Sequence, residues 1–249
     1  EQNGDKIKIT ALSKNNSDEA RTAIVTITAG NGDAQATATV TIRQQKEQTE
    51  VAAFQIGDFV KMDGGTELAE GGIVFWVEGN NAKILSLKRS ATAINWANEG
   101  FTDALGLTDQ EDGEANTQKL RESGIAANIP ILEYCKDGWY LPARNEMEAV
   151  FNAYNGGPSQ SSGLKPDAIK QEEKDARAAW DKILTDNGGD VMNVKADNTA
   201  GDSYFTSTEA DDASKVFYVR FGQWNPGLTG AKYAKSPARY VRCIRKISK

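Results

Sequence analysis

From Arg21 to Arg43 apolar and polar residues alternate with period two, and that pattern points to strands rather than helices. Ala23, Val25 and Ile27 share one face of the first run, with Thr22, Thr26 and Thr28 on the other. Ala36, Ala38, Val40 and Ile42 repeat the pattern against Thr37, Thr39 and Thr41. Val, Ile and Thr in strict alternation suit half-buried antiparallel strands. Asn31-Gly32-Asp33 supplies the hairpin turn between them. Lys6 to Ala11 alternates in the same way, and Asn15 to Glu19 is the loop that follows it. Lys46-Glu47-Gln48-Thr49-Glu50 is wholly polar, so a linker is expected over about residues 45–55.

Lys6-Ile7-Lys8-Ile9, Asn15 to Ala20, Arg21 to Thr28 and Ala38 to Gln44 resemble the C-terminal half of a BACON-type immunoglobulin-like domain. That family occurs towards the N-terminal side of secreted or surface-exposed bacterial proteins. The resemblance covers three strands of a sandwich that has about seven. It implies a small all-β segment, residues 1–50, whose sheet is expected to pack on the next domain, pair with another chain or be partly disordered. A carbohydrate-binding role has been proposed for the family. Residues 1–50 contain no aromatic residue, which favours a spacer.

Beyond residue 56 the texture changes, and all five tryptophans and both cysteines lie there. Ile73-Val74-Phe75-Trp76-Val77, the turn Glu78-Gly79-Asn80-Asn81 and Ala82 to Leu87 predict a hairpin. Residues 116–135 are helix-like but interrupted by Gly124 and Pro130. Pro142 is expected to open a helix. Met147, Val150, Phe151 and Tyr154 give that helix an apolar stripe, and Asn155-Gly156-Gly157-Pro158 stops it. Pro166 to Leu184 predicts a charged helix buried through Ile169, Ala176, Trp180, Ile183 and Leu184, ended by Asn187-Gly188-Gly189. Ser203 to Thr208, Lys215 to Phe221 and Ala238 to Ile244 predict strands. The domain, residues 56–249, is therefore α+β: helices in the middle and antiparallel strands at both ends.

Six segments carry a second resemblance. They are Gly71 to Trp76, Asn95-Trp96, Gly113 to Thr117, Gly138 to Glu146, Tyr204 to Glu209 and Tyr240 to Arg245. In that order they resemble the Lcl-type C-terminal domain, a family of bacterial surface domains. The resemblance implies a C-type-lectin-like fold with an antiparallel sheet and two or three helices. It also makes residues 155–202 a helical insertion. Related folds include formylglycine-generating enzymes, whose short local motif of paired cysteines is absent here, and retroelement-diversified binding proteins. In such a fold the first helix lies beside the last strand, so the resemblance implies a Cys135–Cys243 disulfide. Two buried free thiols are the alternative.

The chain contains no histidine, which removes Ser-His-Asp and Cys-His nucleophilic systems and His-ligated zinc. A carboxylate-pair glycan hydrolase stays open as a less favoured reading. Asp109, Glu111, Asp112 and Glu114 are candidate calcium ligands, but their spacing departs from the EF-hand loop and a solvated acidic loop is the better expectation. Glu209, Asp211 and Asp212 form a second acidic turn. No cofactor and no metal site are expected. The net charge of −6 argues against nucleic acid as a partner. No apolar run approaches the roughly 20 residues of a transmembrane helix.

Between Tyr218 and Tyr240 lie the residue types that dominate binding hot spots and sugar platforms. Tyr218, Arg220, Trp224, Asn225, Lys232 and Tyr233 are the expected ligand-binding residues, with Trp224 at the tip of a Gln-Trp-Asn-Pro-Gly turn. The expected function is a non-enzymatic, adhesin-like module that binds a glycan or protein on a host or neighbouring surface. The alternative is a structural subunit of a pilus-like appendage, its N-terminal sheet completed by a partner's strand. The expected location is extracellular or on the outer-membrane surface. Export, with or without a lipid anchor, would then have used an N-terminal region removed ahead of Glu1.

Overall fold

The computed structural model describes all residues other than 1, 4–5, 8, 11, 14, 16–18, 31–32, 45–52, 63–70, 159–168, 194–201, 223–227 and 233–237. The chain forms two compact units, Glu1–Ala52 and Ala53–Lys249.

In the first unit β1 (Gln2–Asn3) pairs with β2 (Lys6–Ile7), and β3 (Arg21–Ala29) pairs with β4 (Ala36–Gln44). The longer ribbon runs in unbroken antiparallel register from Arg21↔Gln44 to Ala29↔Ala36. That register puts Ala23, Val25 and Ile27 on the same face as Ala38, Val40 and Ile42, as the alternation predicts. The buried Asn15 side chain ties the preceding loop to the ribbon by donating to the Glu19 and Gln44 carbonyls. The expected turn at Asn31-Gly32 lies outside the described residues.

The second unit is α+β. Its elements in chain order are β5 (Phe59–Lys61), β6 (Gly71–Glu78), β7 (Asn81–Ser86), α1 (Gly113–Glu122), α2 (Arg144–Tyr154) and α3 (Gln171–Asp186). They are followed by β8 (Ser203–Glu209), β9 (Lys215–Arg220), β10 (Thr229–Ala231) and β11 (Ile244–Ser248). One antiparallel sheet has the order β11-β7-β6-β5 and the other β10-β9-β8. The β6–β7 hairpin forms where expected, turned by Gly79 at φ +58°, a conformation that glycine adopts without steric cost.

Two faces of the larger sheet carry two cores. Val74, Ala82 and Ile84 join Leu120 of α1, Trp139, Leu141 and both cysteines. Ile73, Phe75 and Leu85 join Met147, Val150, Phe151 and Tyr154 of α2 with Trp180 and Leu184 of α3. The α2 stripe read from sequence is thus the buried one, whereas α3 buries Trp180 and Leu184 of its expected stripe together with Glu173 and Arg177, and leaves Ala176 and Ile183 half-buried. A register shift between Val74 and Trp76 inserts Phe75 as a bulge opposite Lys83. Two consecutive aromatics, Phe75 and Trp76, thereby share one face, which strict alternation forbids.

Four boundaries differ from expectation, the first being α3, which begins at Gln171 after its Lys170 N-cap rather than at Pro166. Pro142 does not open α2; Ala143 is the extended N-cap, because the Pro142 carbonyl is held by the Ser207 amide and hydroxyl of β8. The helix-like stretch 116–135 stops at Glu122, and Gly124 at φ +70° leads into two 3₁₀ turns, Ala126–Asn128 and Pro130–Glu133. The last strand is Ile244–Ser248 rather than 238–244. The preceding residues cross between sheets, bridging Arg239 to Ile94 and Tyr240 to Tyr204. The buried Arg242 guanidinium binds the Ser86 and Leu87 carbonyls there.

The Cys135–Cys243 disulfide is formed, with a Cα–Cα distance of 5.5 Å. It joins the segment after α1 to the start of β11. Among the described residues no helix is long and apolar enough to cross a membrane.

Candidate ligand-binding site

Of the six residues expected to bind ligand, three are described. Tyr218 lies on β9, the central strand of its sheet, and is buried in the first core cluster. Val219 and Phe221 belong to the second, so β9 is covered on both faces. The Arg239 guanidinium closes over the Tyr218 ring at 3.6 Å. Arg220 is half-buried, and its Nε has no hydrogen-bond partner among the described residues.

Lys232 corrects the sequence reading most sharply. It is completely buried and paired with Glu209. Its ammonium also donates to the Asp103 carbonyl at 2.6 Å and lies 5.6 Å from the Trp96 ring centre. Glu209 accepts the Leu105 and Leu107 amides as well. A lysine held this way stabilises the loops around it and does not reach a ligand. Trp224, Asn225 and Tyr233 lie outside the described residues.

The acidic loops are spent on the backbone. Asp109 Oδ1 accepts the Glu111 and Asp112 amides, and Asp112 caps α1 through the Glu114 and Ala115 amides. Asp212 accepts from the Ser214 hydroxyl and amide and pairs with Lys215, which together hold its carboxyl down at about 2. No group of three or more carboxylates among the described residues is arranged to hold a metal ion.

A different site emerges on the larger sheet. The register aligns Trp76 of β6, Lys83 of β7 and Lys246 of β11 in one cross-strand row. They line a half-open pocket of about 330 Å³ with Asn81 and Ser248, Ala82 and Ile247 lying between. That volume is at the lower end of small-molecule sites, ~300–1,000 Å³. Trp76 is half-buried, and the Lys83 ammonium stands 5.2 Å from its ring centre.

The two lysines are directly opposed on adjacent strands, a pairing that like charges disfavour. Carboxylates outside the pocket lining hold each in place. Lys83 donates to Glu146 at 2.6 Å. The buried Glu146 also accepts the Tyr140 hydroxyl and the Gly113 and Ala143 amides. Gly113 is required for that convergence, since a Cβ there would lie 2.2 Å from the Leu141 carbonyl oxygen. Lys246 pairs with Glu114 at 3.0 Å and Asp112 at 3.3 Å. Burial works against its charge, but these two carboxylates win and raise its pKa. Among the described residues the pocket is therefore lined by an aromatic, two lysines and two neutral polar residues, and by no acidic one.

Sequence reading missed this site because Trp76 stands in a five-residue apolar run that reads as core strand. The bulge that brings it to the core's margin has no sequence signal. The chain matches no protein-family model, no curated protein and no solved structure.

The ionisation of Glu209 makes an acid-sensitivity prediction. Burial pushes its pKa up, but the Lys232 ammonium and the Leu107 and Leu105 amides outweigh burial and hold it below the usual 4.5. A carboxyl depressed in the folded state stabilises above its unfolded pKa, and the contribution is lost as pH falls through the folded value. Asp112, lowered against burial by the Ala115 amide and Lys246, acts in the same direction. Asp181 opposes them, because burial raises its pKa. Asp212 adds a third depressed carboxyl and Glu148, raised by burial, a second opposing one; with three groups against two, the melting temperature is expected to fall as pH drops below about 4.5. Differential scanning fluorimetry from neutral to acid pH measures it; a melting temperature that rises through that window would refute the balance.

Proposed function

We propose that this protein is a non-enzymatic, adhesin-like binding module of the bacterial surface. The larger unit, as a C-type-lectin-like domain, recognises a glycan or protein, and the BACON-like N-terminal unit acts as a spacer. The observation that carries this reading is the pocket over Trp76. A half-exposed indole flanked by fixed polar groups is the composition of a recognition site rather than of a packed core. The disulfide supports an exported location, since such bonds persist in oxidising compartments.

The test is binding of the purified chain to a broad array of glycans and matrix proteins. Retention of at least one ligand is expected, with weaker retention by a folded Trp76→Ala variant. No binding to any array component would overturn the reading.

One observation favours the second reading, a structural subunit of an appendage. Ile24 and Val40 of the two-stranded ribbon are 70% and 43% exposed, as strands awaiting a partner would be. Concentration-dependent polymerisation in sedimentation velocity would support that role instead.

A further inference from the structure

We propose that the pocket over Trp76 takes a carboxylate-bearing sugar, a hexuronate unit of an acidic polysaccharide. The ring would stack on the indole while its carboxylate meets the Lys83 and Lys246 ammonium groups. The proposal rests on the binding-module reading and names the ligand class.

Four properties of the wall select this class. The first is the aromatic: the half-buried Trp76 lines the pocket, and an indole suits the C–H face of a pyranose. A simple inorganic anion has no use for it. The second is charge complementarity. Lys83 and Lys246 both line the pocket, and their carboxylate partners Glu146, Asp112 and Glu114 do not. Lys83 spends one donor on Glu146 and Lys246 spends two, on Glu114 and Asp112, and an ammonium has three.

The third property is the balance of donors. Two ammonium groups with the Asn81 amide and Ser248 hydroxyl make the wall rich in donors. A neutral sugar, whose hydroxyls both donate and accept, would leave part of that capacity unused; a carboxylate fills it. The fourth is preorganisation. Glu146 is buried and receives two backbone amides besides Lys83 and Tyr140, so the Lys83 ammonium is fixed before ligand arrives. Two opposed lysines on adjacent strands are an arrangement that stability alone does not favour.

The experiment measures binding of the full chain by calorimetry to trisaccharides of galacturonate, glucuronate and mannuronate. Their methyl esters keep the ring without the charge, and oligoglutamate keeps the carboxylate without the ring. Variants are Trp76→Ala, Trp76→Phe and Lys246→Gln, each checked for folding by near-ultraviolet circular dichroism. Lys246 is the charge to remove because its side chain is 43% exposed, whereas losing Lys83 would strand the buried Glu146.

At least one uronate is expected to bind, with its ester and oligoglutamate at least about tenfold weaker, the scale of a charge-assisted hydrogen bond. Lys246→Gln and Trp76→Ala should each weaken binding about tenfold or more, with Trp76→Phe in between. Equal binding of the ester overturns the carboxylate assignment, and equal binding of oligoglutamate overturns the sugar. Uronate binding untouched by folded Trp76 and Lys246 variants overturns the site while leaving the binding-module reading standing. If the chain binds no uronate but retains another array ligand, this proposal fails alone; if it retains nothing, both fail.

Discussion

Replacing Glu209 with glutamine is expected to destabilise the larger unit by about 3–5 kcal/mol, because it leaves the Lys232 charge buried and unpaired. The geometry makes this a large effect. The Lys232 side chain has no exposure and that of Glu209 only 5%. Glutamine keeps an acceptor for the Leu105 and Leu107 amides, so the loss isolates the charge. Among the described residues the remaining hydrogen-bond partner of the Lys232 ammonium is the Asp103 carbonyl, which carries no full charge to offset it. A double variant, Glu209→Gln with Lys232→Met, removes both charges and should be less destabilised than Glu209→Gln alone. Urea unfolding followed by circular dichroism gives all four corners of the cycle. A coupling below about 0.5 kcal/mol would show the pair to be independent and the prediction wrong.

The same pair shows where the sequence stops being legible. Lys232 falls in a stretch rich in Arg, Asn, Trp and Tyr, and residue type alone suggests a surface. Its partner stands 23 positions earlier, at the end of β8, in what reads as a solvated acidic turn. Nothing local connects them; only the antiparallel return through β9 and β10 does. Tyr218 fails for a related reason. Alternation predicts that one face of a strand is covered, but a strand between two cores is covered on both.

Local periodicity, by contrast, gives the right answer for α2 and for the β3–β4 ribbon, and half of it for α3, where Trp180 and Leu184 are buried but so are Glu173 and Arg177. The α2 stripe of Met147, Val150, Phe151 and Tyr154 is buried throughout, and the β3–β4 register follows its alternation. The Trp76 pocket lies between these cases. Its row of residues comes from three strands, and its existence depends on a bulge and on the late strand β11. Sequence carries each residue without their adjacency.

Removing the Cys135–Cys243 bridge, as the Cys135→Ala/Cys243→Ala pair, is expected to cost about 4–5 kcal/mol in the chain-entropy model. The sequence separation of 108 sets that scale, since the bridge closes more than half of the larger unit into one loop. In a domain of this size the melting temperature should fall by about 10–20 °C. The sulfurs are also core atoms, packed among Leu132, Trp139 and Leu141, so alanine adds a packing loss. Both cysteines are buried, and reduction under native conditions should therefore be slow and follow global unfolding.

The consequence reaches the pocket. Cys243 precedes β11 directly, and β11 carries Lys246 and Ser248 into the site. Cys135 anchors the segment after α1, whose first turn supplies Glu114 and whose cap is Asp112, the two partners of Lys246. The bridge thus ties together the two elements whose charges fix one wall of the pocket. Thermal melts and uronate titrations of the bridged and alanine forms test both links at once. Melting temperatures that agree within about 2 °C would mean that tertiary packing alone holds these elements, contrary to the loop-entropy argument.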